Sequence, residues 1–494
     1  MEVLFESAFE IAKAIKNKTI SSKEVINFYL DRIQRINPEV NAVVQVDAER
    51  ALSRAHIADE AVRSGQDCGP LHGVPLTIKD AYLTEGIVSA NGLPHLKNNI
   101  PDRNADVVQK YIDAGAIILG KTNTPLASGD FQSFNDIYGT TNNPWDITRT
   151  CGGSSGGAAA ALASGMTPLE LGGDIGGSIR IPSHLNGVYG HKPSHGIVSQ
   201  RSLVDWPEQI SEQDLWVVGP MGICARDIRD ALRILIGPVP EKAPAWNIQL
   251  PSPRCTDIKK LRVATCFDQP NYPIDHEVKA ELEAVADSLE KEGALVVREV
   301  APDIDFQENL AVYLQIMYSH MDASVPEEMK QAMAKALAPI PMSEDIIAMF
   351  GASVAQWNKV NERRFQLQRK WMEFFENYDV LLAPILPLPA FEHDHTPIAF
   401  RRWQVNGEDR SAMLDTLFWA SFSLLTYLPA TAVPAGQTKT DKLPVGVQIV
   451  GPYLEDETPL EVAAMLEQCH RSFEPAPNYK SLNAYLTSQG SIAL

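Results

Sequence analysis

The residues best suited to chemistry lie in one glycine-rich block. Between Gly152 and Gly190 the chain places 11 of its 31 glycines within 39 residues, interleaved with Ser154, Ser155, Asp174, Ser178 and Arg180. Tight turns and close helix packing account for glycines, but not for the polar residues between them. In Asp174-Ile175-Gly176-Gly177-Ser178 a hydroxyl follows two glycines directly. Successive amides in such a turn can converge as an anion-binding nest beside a nucleophile. A serine that attacks a carbonyl needs a base, and no histidine stands in an obvious position to serve. Lys79, which ends the apolar run GVPLTIK and precedes Asp80, is the other candidate. A lysine at a strand end is ordinarily a solvated charge, so the residues alone leave its role open.

Other motifs carry less. Gly115 to Thr122 (GAIILGKT) fits the phosphate-loop expression GxxxxGK[ST], which requires a preceding strand and an exposed loop. Here a helix precedes Gly115 and the four residues between the glycines read as a strand, so nucleotide binding is not expected. Gly153-Ser154-Ser155-Gly156-Gly157 fits the GxSxG nucleophile elbow with Ser155 central. That elbow follows a strand, whereas NNPWDITRTC is a Pro-containing loop, and His393, His395 and His470 lack a persuasive context. An α/β-hydrolase-type esterase is the corresponding alternative. His393 and His395 make only a pair in a polar loop, and the six cysteines (68, 151, 224, 255, 266 and 469) form no CxxC. No metal and no cofactor are expected.

The elements that must position these residues read as α/β. Ser7 with Glu10, and Ser21 with Glu24, have capping-box spacing in a helical N-terminal segment, residues 1–64. Val25, Tyr29, Ile33 and Ile36 share a helix face that is expected to stop before Pro38. Val74 to Ile78 reads as a strand, Asp106 to Ala114 as a helix, and Ala116 to Leu119 as a strand buried on both faces. LRVAT, a helix with Val278, Leu282, Val285 and Leu289, and ALVVREV make a β-α-β pattern around 261–300. Residues 307–378 read as mostly helical. YDVLLAPILP and LPVGVQIVGP are strand-like, and a helix follows from Pro459. Uncharged Thr416 to Thr438 is long enough to span a bilayer, but Pro429 and Pro434 interrupt it, so a buried helix followed by a core strand is expected. The alternation implies a large, twisted, mixed sheet covered by helices on both faces. With no repeat and no linker, 1–494 is read as one domain: the N-terminal helices, a core at 65–235, a variable stretch at 240–370 and a return to the same sheet at 375–494.

Taken together, GGSSGG and DIGGSIR followed by Pro182 resemble the amidase signature family throughout residues 152–183. The flanking blocks GVPLTIKD, LGKTN (119–123), YGTTNNPWD (138–146), GVYGHKP (187–193) and PVGVQIVGP are similar to that family too. The likeness spans about residues 5–235 and 375–470, and is loose over 240–370. It implies an amidase that cleaves linear amides, with Ser178 as acylated nucleophile, Ser154 as a bridging serine on a cis peptide bond to Gly153, and Lys79 as terminal base. It further implies an oxyanion hole from the amides of Ile175, Gly176, Gly177 and Ser178, support of that loop by Asp174 and Arg180 with Ser155 alongside, and an acyl pocket lined at Ser128 and Gly129. A lysine of ordinary pKa, about 10.4, can serve as a base near neutral pH only if burial lowers that value by several units.

Within the family, amidotransferase A-type glutaminase subunits of tRNA-dependent complexes typically carry SDTGGSIRQP and a cysteine two residues before the GVVG-type motif. This chain has GDIGGSIRIP, and Leu185-Asn186 before Gly187. It therefore resembles the stand-alone amidase branch, and the amidotransferase-type glutaminase is the alternative. A pocket wall is expected from Tyr313, Met317 and Tyr318, with Trp206 and Trp216 on the leaving-group side. Composition agrees with a globular enzyme: 45% hydrophobic and 21% charged residues, with 43 Lys plus Arg against 62 Asp plus Glu for a net charge of −19. That balance, without a basic run, argues against a nucleic-acid partner. A small-molecule amide substrate, no membrane association, a monomer or homodimer, and a cytoplasmic location are expected. Dispersed thiols fit a reducing compartment.

Overall fold

The computed structural model describes residues 4–66, 68–205, 207–320, 327–338 and 343–480. Two sheets organise the chain. The smaller has three strands, β1 (Val43–Val46), β2 (Pro75–Lys79) and β3 (Ile117–Thr122), in the order β1-β3-β2, with β2 parallel to β3. The larger has eight: β4 (Leu169–Asp174), β5 (Tyr189–Lys192), β6 (Val217–Gly222), β7 (Arg262–Thr265), β8 (Leu295–Val297), β9 (Val380–Pro384), β10 (Ala430–Gln437) and β11 (Pro444–Val450). Their order is β8-β7-β9-β11-β10-β5-β6-β4. β7 is parallel to β8 and to β9, and the remaining pairs are antiparallel. The sheet is therefore mixed, as expected, and takes strands from both halves of the chain.

Burial explains the sequence texture. Every residue of β2, β3, β4, β5, β6, β9 and β11 is buried, so these strands show no in-out alternation, and their polar residues such as Glu170, His191 and Lys192 are buried too. The helix Gly156–Ala163 is buried along its whole length and is built from glycine, alanine and one leucine. The uncharged stretch near 416–438 is a buried helix, Ala412–Leu424, followed by β10. Among the described residues no helix is long and apolar enough to cross a membrane.

Several boundaries differ from the expectation. The second helix runs through Pro38 to Val40. Its end is set instead by Asn41, whose φ is 53° and whose amide donates to Asn37 O at 2.7 Å, while the Asn37 side chain receives the amides of Ala42 and Val43. A proline in the last turn forfeits one bond, and these replace it. Ser21 and Glu24 form the full capping box. Ser7 receives the Glu10 amide, but its own hydroxyl donates to Asp227 and its amide goes to Glu6, so only half of that box exists. β3 extends beyond Leu119 to include Lys121 and Thr122. The β7–β8 pair, from within the loosely matching stretch, forms the far edge of the main sheet. The rest of that stretch is mainly helical: Phe306–His320, Glu327–Leu337, Ser343–Ile347 and Val354–Phe374.

Candidate active site

The chemistry-bearing residues converge where the two sheets meet. Lys79 is the last residue of β2, Ser154 lies in the turn before the Gly156–Ala163 helix, and Ser178 follows the turn that leaves β4. The peptide bond Gly153–Ser154 is cis. A side chain at position 153 has no room, since a Cβ there would lie 2.6 Å from Asp130 O and 2.7 Å from Gln132 N. Ser133, absent from the sequence expectation, braces this turn: its Oγ donates to Gly152 O and receives the Gly156 amide, both at 3.0 Å. Ser155 is not a nucleophile elbow. It is fully buried, its amide donates to Ser178 O at 3.2 Å, and its Oγ receives the Gly173 amide at 3.3 Å. It thus ties the serine turn to β4 and to the Ser178 backbone.

Lys79 Nζ donates to Ser154 Oγ at 2.6 Å, and both residues are fully buried. Burial pulls the Lys79 ammonium down to about 7, against the opposing pull of Asp174, Asp205 and Glu170. The physical cause is the low-dielectric setting, which penalises the charged form. The Trp216 ring lies beneath Lys79 Nζ, 5.7 Å from nitrogen to centroid, and so walls this lysine rather than an open pocket. Trp206 lies outside the described residues.

The turn carrying Ser178 is clamped from below. Asp174 accepts the amides of Gly177 (2.8 Å) and Ile179 (3.2 Å), and both carboxylate oxygens receive the Arg180 guanidinium at 3.0 Å. Burial alone would raise the Asp174 carboxyl, but the Arg180 charge and hydrogen bonds, with Lys192 beyond, hold it below the usual carboxylate range. Arg180 in turn donates to Gln448 Oε1 at 2.7 Å, which links the turn to β11. Gly177 has φ +101°. Its amide is committed to Asp174, so it shapes the turn. Ser178 is nearly buried, with 4% of its surface exposed.

Ser128 and Gly129 lie in a surface turn, where Ala127 and Ser128 have φ of 50° and 57°. Ser128 Oγ donates to Asn91 Oδ1 at 2.9 Å, and Asn91 Nδ2 to Asp205 Oδ1 at 2.6 Å. This chain leads from that turn to a carboxylate whose field reaches Lys79, and neither Asn91 nor Asp205 was anticipated. A cavity of about 530 Å³ opens beside Ile175, walled by Asp205, Pro207, Glu208, Gln209, Gln213 and Asp214. Of the three residues expected to form a pocket wall, Tyr313 reaches the site, donating to Ile175 O at 2.6 Å. Tyr318 stacks on Phe350 with centroids 5.0 Å apart, and Met317 is buried with the core.

The competing motifs resolve structurally. Lys121 of the GKT sequence is fully buried and donates to Tyr82 O and Thr84 Oγ1, at 2.5 and 2.8 Å, so it faces the interior and not a phosphate. His470 bridges Ser288 Oγ and Ala435 O, and His395 stacks on Phe134. Among the described residues no group of three or more His, Cys, Asp or Glu could hold a metal ion, and none of the six cysteines is paired.

A family model described as Amidase matches residues 24–460. The chain belongs to the amidase signature family. Among the relatives of this amidase are two proteins named as A-type subunits of glutamyl-tRNA(Gln) amidotransferase. That of Acidothermus cellulolyticus is 32% identical, with 95% of each chain covered. That of Thermoanaerobacter pseudethanolicus is 30% identical, with 95% of this chain and 98% of its own covered. Among solved structures, a bacterial aryl acylamidase of the same family matches with a TM-score of 0.79 at 24% identity, covering 99% of this chain and 100% of its own. The corresponding amidotransferase A-type subunit of Thermotoga maritima matches with a TM-score of 0.72 at 25% identity, covering 92% and 94%. The protein is an amide-hydrolysing enzyme of this family.

Proposed function

We propose that this amidase acts on its own, cleaving a small carboxylic amide to an acid and an amine or ammonia through an acyl-enzyme on Ser178. The observation that carries the reading is the buried 2.6 Å contact between Lys79 and Ser154, with the lysine poised near neutrality. Neutral Lys79 takes the Ser154 proton as Ser154 takes that of Ser178, and Ser178 Oγ attacks the amide carbon. Catalytic hydrogen bonds are often loose in a free enzyme and tighten when substrate binds, which accommodates the approach of Ser178 to Ser154. The oxyanion is received by the amides of Ile175, Gly176 and Ser178, fixed in advance by the Asp174–Arg180 clamp. Ser154 and Lys79 then return the proton to the departing nitrogen. Water, deprotonated along the same relay, releases the acid and restores Ser178. The cavity beside Ile175 supports access of a small molecule to this turn.

The turn sequence GDIGGSIRIP, and Leu185-Asn186 in place of a cysteine-bearing segment, favour the stand-alone branch. A glutaminase component of an amidotransferase is the second reading, favoured by near full-length similarity to proteins of that name. A hydrolysis panel of aliphatic amides, anilides, peptide amides, carbamates and nylon-type oligomers, run on the purified chain beside Ser178→Ala, tests the proposal. The wild type should turn over at least one class alone and form a covalent adduct with a fluorophosphonate. Ser178→Ala should do neither, and its retaining normal activity would remove Ser178 from the mechanism. Glutaminase activity that appears only with a copurified partner, ATP and tRNA would transfer the enzyme to the second reading.

A further inference from the structure

The loosely matching stretch between 240 and 370 sends a side chain to the turn that carries Ser178. Tyr313, on the helix Phe306–His320, is fully buried and donates to Ile175 O at 2.6 Å. Its hydroxyl also lies 3.9 Å from the position a Cβ on Gly176 would occupy, beside Leu417 and Phe131. The Ile175–Gly176 peptide is trans, since the one cis bond among the described residues is Gly153–Ser154. In a trans peptide the carbonyl of one residue and the N–H of the next share a plane and point in opposite directions. A donor that fixes Ile175 O therefore fixes the direction of the Gly176 N–H as well. On the following peptide Asp174 performs the matching task by holding the Gly177 N–H. The turn is thus pinned on one side by a carboxylate from its own strand and on the other by a phenol 138 residues away in sequence.

We infer that Tyr313 is a positioning residue for the oxyanion hole: by holding the Ile175 carbonyl it aims the Gly176 amide at the developing oxyanion. This assignment rests on the proposed acyl-enzyme at Ser178. It makes the loosely matching segment a determinant of rate as well as of shape. Tyr313 touches the turn and not the reacting atoms, so its removal should weaken transition-state binding and leave ground-state binding in place. Its phenol stays protonated, because burial raises its pKa far above the ordinary value.

The experiment compares wild type, Tyr313→Phe and a chain carrying 3-fluorotyrosine at 313, which keeps the donor. It reads kcat and KM on an amide from the panel, the rate of Ser178 labelling by a fluorophosphonate, and the inhibition constant of a trifluoromethyl ketone that forms a tetrahedral adduct. Removing an oxyanion-hole donor costs about 10²–10³ in kcat, and a misaimed donor should cost about 10- to 100-fold. Tyr313→Phe should therefore lose about 10- to 100-fold in kcat and in ketone affinity, with KM within about threefold. The fluorotyrosine chain should stay near wild type. A kcat and ketone affinity within about twofold of wild type in a folded Tyr313→Phe would overturn the assignment, as would equal losses in KM and ketone affinity. Were Tyr313→Phe not to fold, loss of activity in the folded fluorotyrosine chain would also overturn it. Failure of the wild type to label at Ser178 would instead refute the underlying acyl-enzyme reading.

Discussion

The depressed pKa of Lys79 makes a thermodynamic prediction that can be tested without knowing the substrate. A lysine that titrates near 10.5 when unfolded and near 7 when folded binds fewer protons in the native state throughout the interval between those values. Stability then rises with pH across that window, with a slope of about 1.4 kcal/mol per pH unit for one group. The total is the shift multiplied by that slope, about 5 kcal/mol, as an order of magnitude. Its sign is the reverse of a salt-bridged lysine: the contribution is fully present above pH 10.5 and is lost as pH falls through 7. Lys121 and Lys192 are also buried and lowered, to about 8 and about 7, so the wild-type curve contains their contributions as well. The difference between wild type and Lys79→Met removes them, because methionine keeps the stem and discards the charge. Denaturant unfolding of both proteins at about pH 6, 7, 8, 9 and 10 gives that difference. Lys79→Met should gain most relative to wild type at about pH 6, and the advantage should shrink steadily from about pH 7 to pH 10. If Lys79 is the base, as proposed, wild-type kcat/KM should climb about tenfold per pH unit below 7 and level above it. A difference in stability that stays flat across pH would mean that Lys79 titrates like a surface lysine, and the argument for a neutral base would fail.

Two further substitutions probe the turn beneath Ser178. Asp174→Asn leaves the Arg180 guanidinium buried without a counter-charge, which should cost about 3–5 kcal/mol in denaturant unfolding and reduce turnover sharply; a loss under about 1 kcal/mol would show that the clamp is not formed. Gly177→Ala places a Cβ 2.7 Å from Ile181 Cδ1 at a residue with φ +101°, so it should destabilise by about 1–3 kcal/mol and slow fluorophosphonate labelling. Labelling at the wild-type rate would separate the turn geometry from the chemistry.

The sequence carried the site where the site is local and lost it where contacts are long-range. Ser154, Ser155, Asp174, Ser178 and Arg180 lie within one short block whose glycines and polar residues constrain each other, and Lys79 closes a recognisable apolar strand. Ser133, Asn91 and Asp205 sit in irregular segments without periodicity, and only the folded chain shows that they brace the serine turn or lead toward Lys79. Tyr313 stood with Met317 and Tyr318 on one expected helix, and nothing in the sequence says which of the three meets Ile175. The β7 and β8 strands were readable from their apolar runs. Their place at the far edge of the sheet, against β9, depends on pairing across roughly a hundred residues or more. The helix expected to stop before Pro38 failed for a different reason: a local rule about proline yielded to a stronger cap at Asn41. At Ser7, likewise, Asp227 outcompetes the local box for the hydroxyl.

The density of small residues and the lowered pKa of Lys79, the proposed base, are one requirement seen twice. Burial lowers a lysine toward neutrality by excluding water around it, and near Lys79 glycines let backbone and aromatic side chains close in. A Cβ on Gly173 would meet the Trp216 ring and the Tyr82 hydroxyl at 2.6 Å, the same Trp216 that lies beneath the Lys79 ammonium. A Cβ on Gly153 would press into the 130–132 backbone and displace the serine that accepts from Lys79. Larger residues at either point would open the packing that dehydrates the base, or move Ser154 out of reach of it. Histidine, whose ordinary pKa is already near neutral, does not need such burial to act as a base. On the proposed mechanism, lysine as base and glycine around it are therefore coupled, and replacing one without the other should fail.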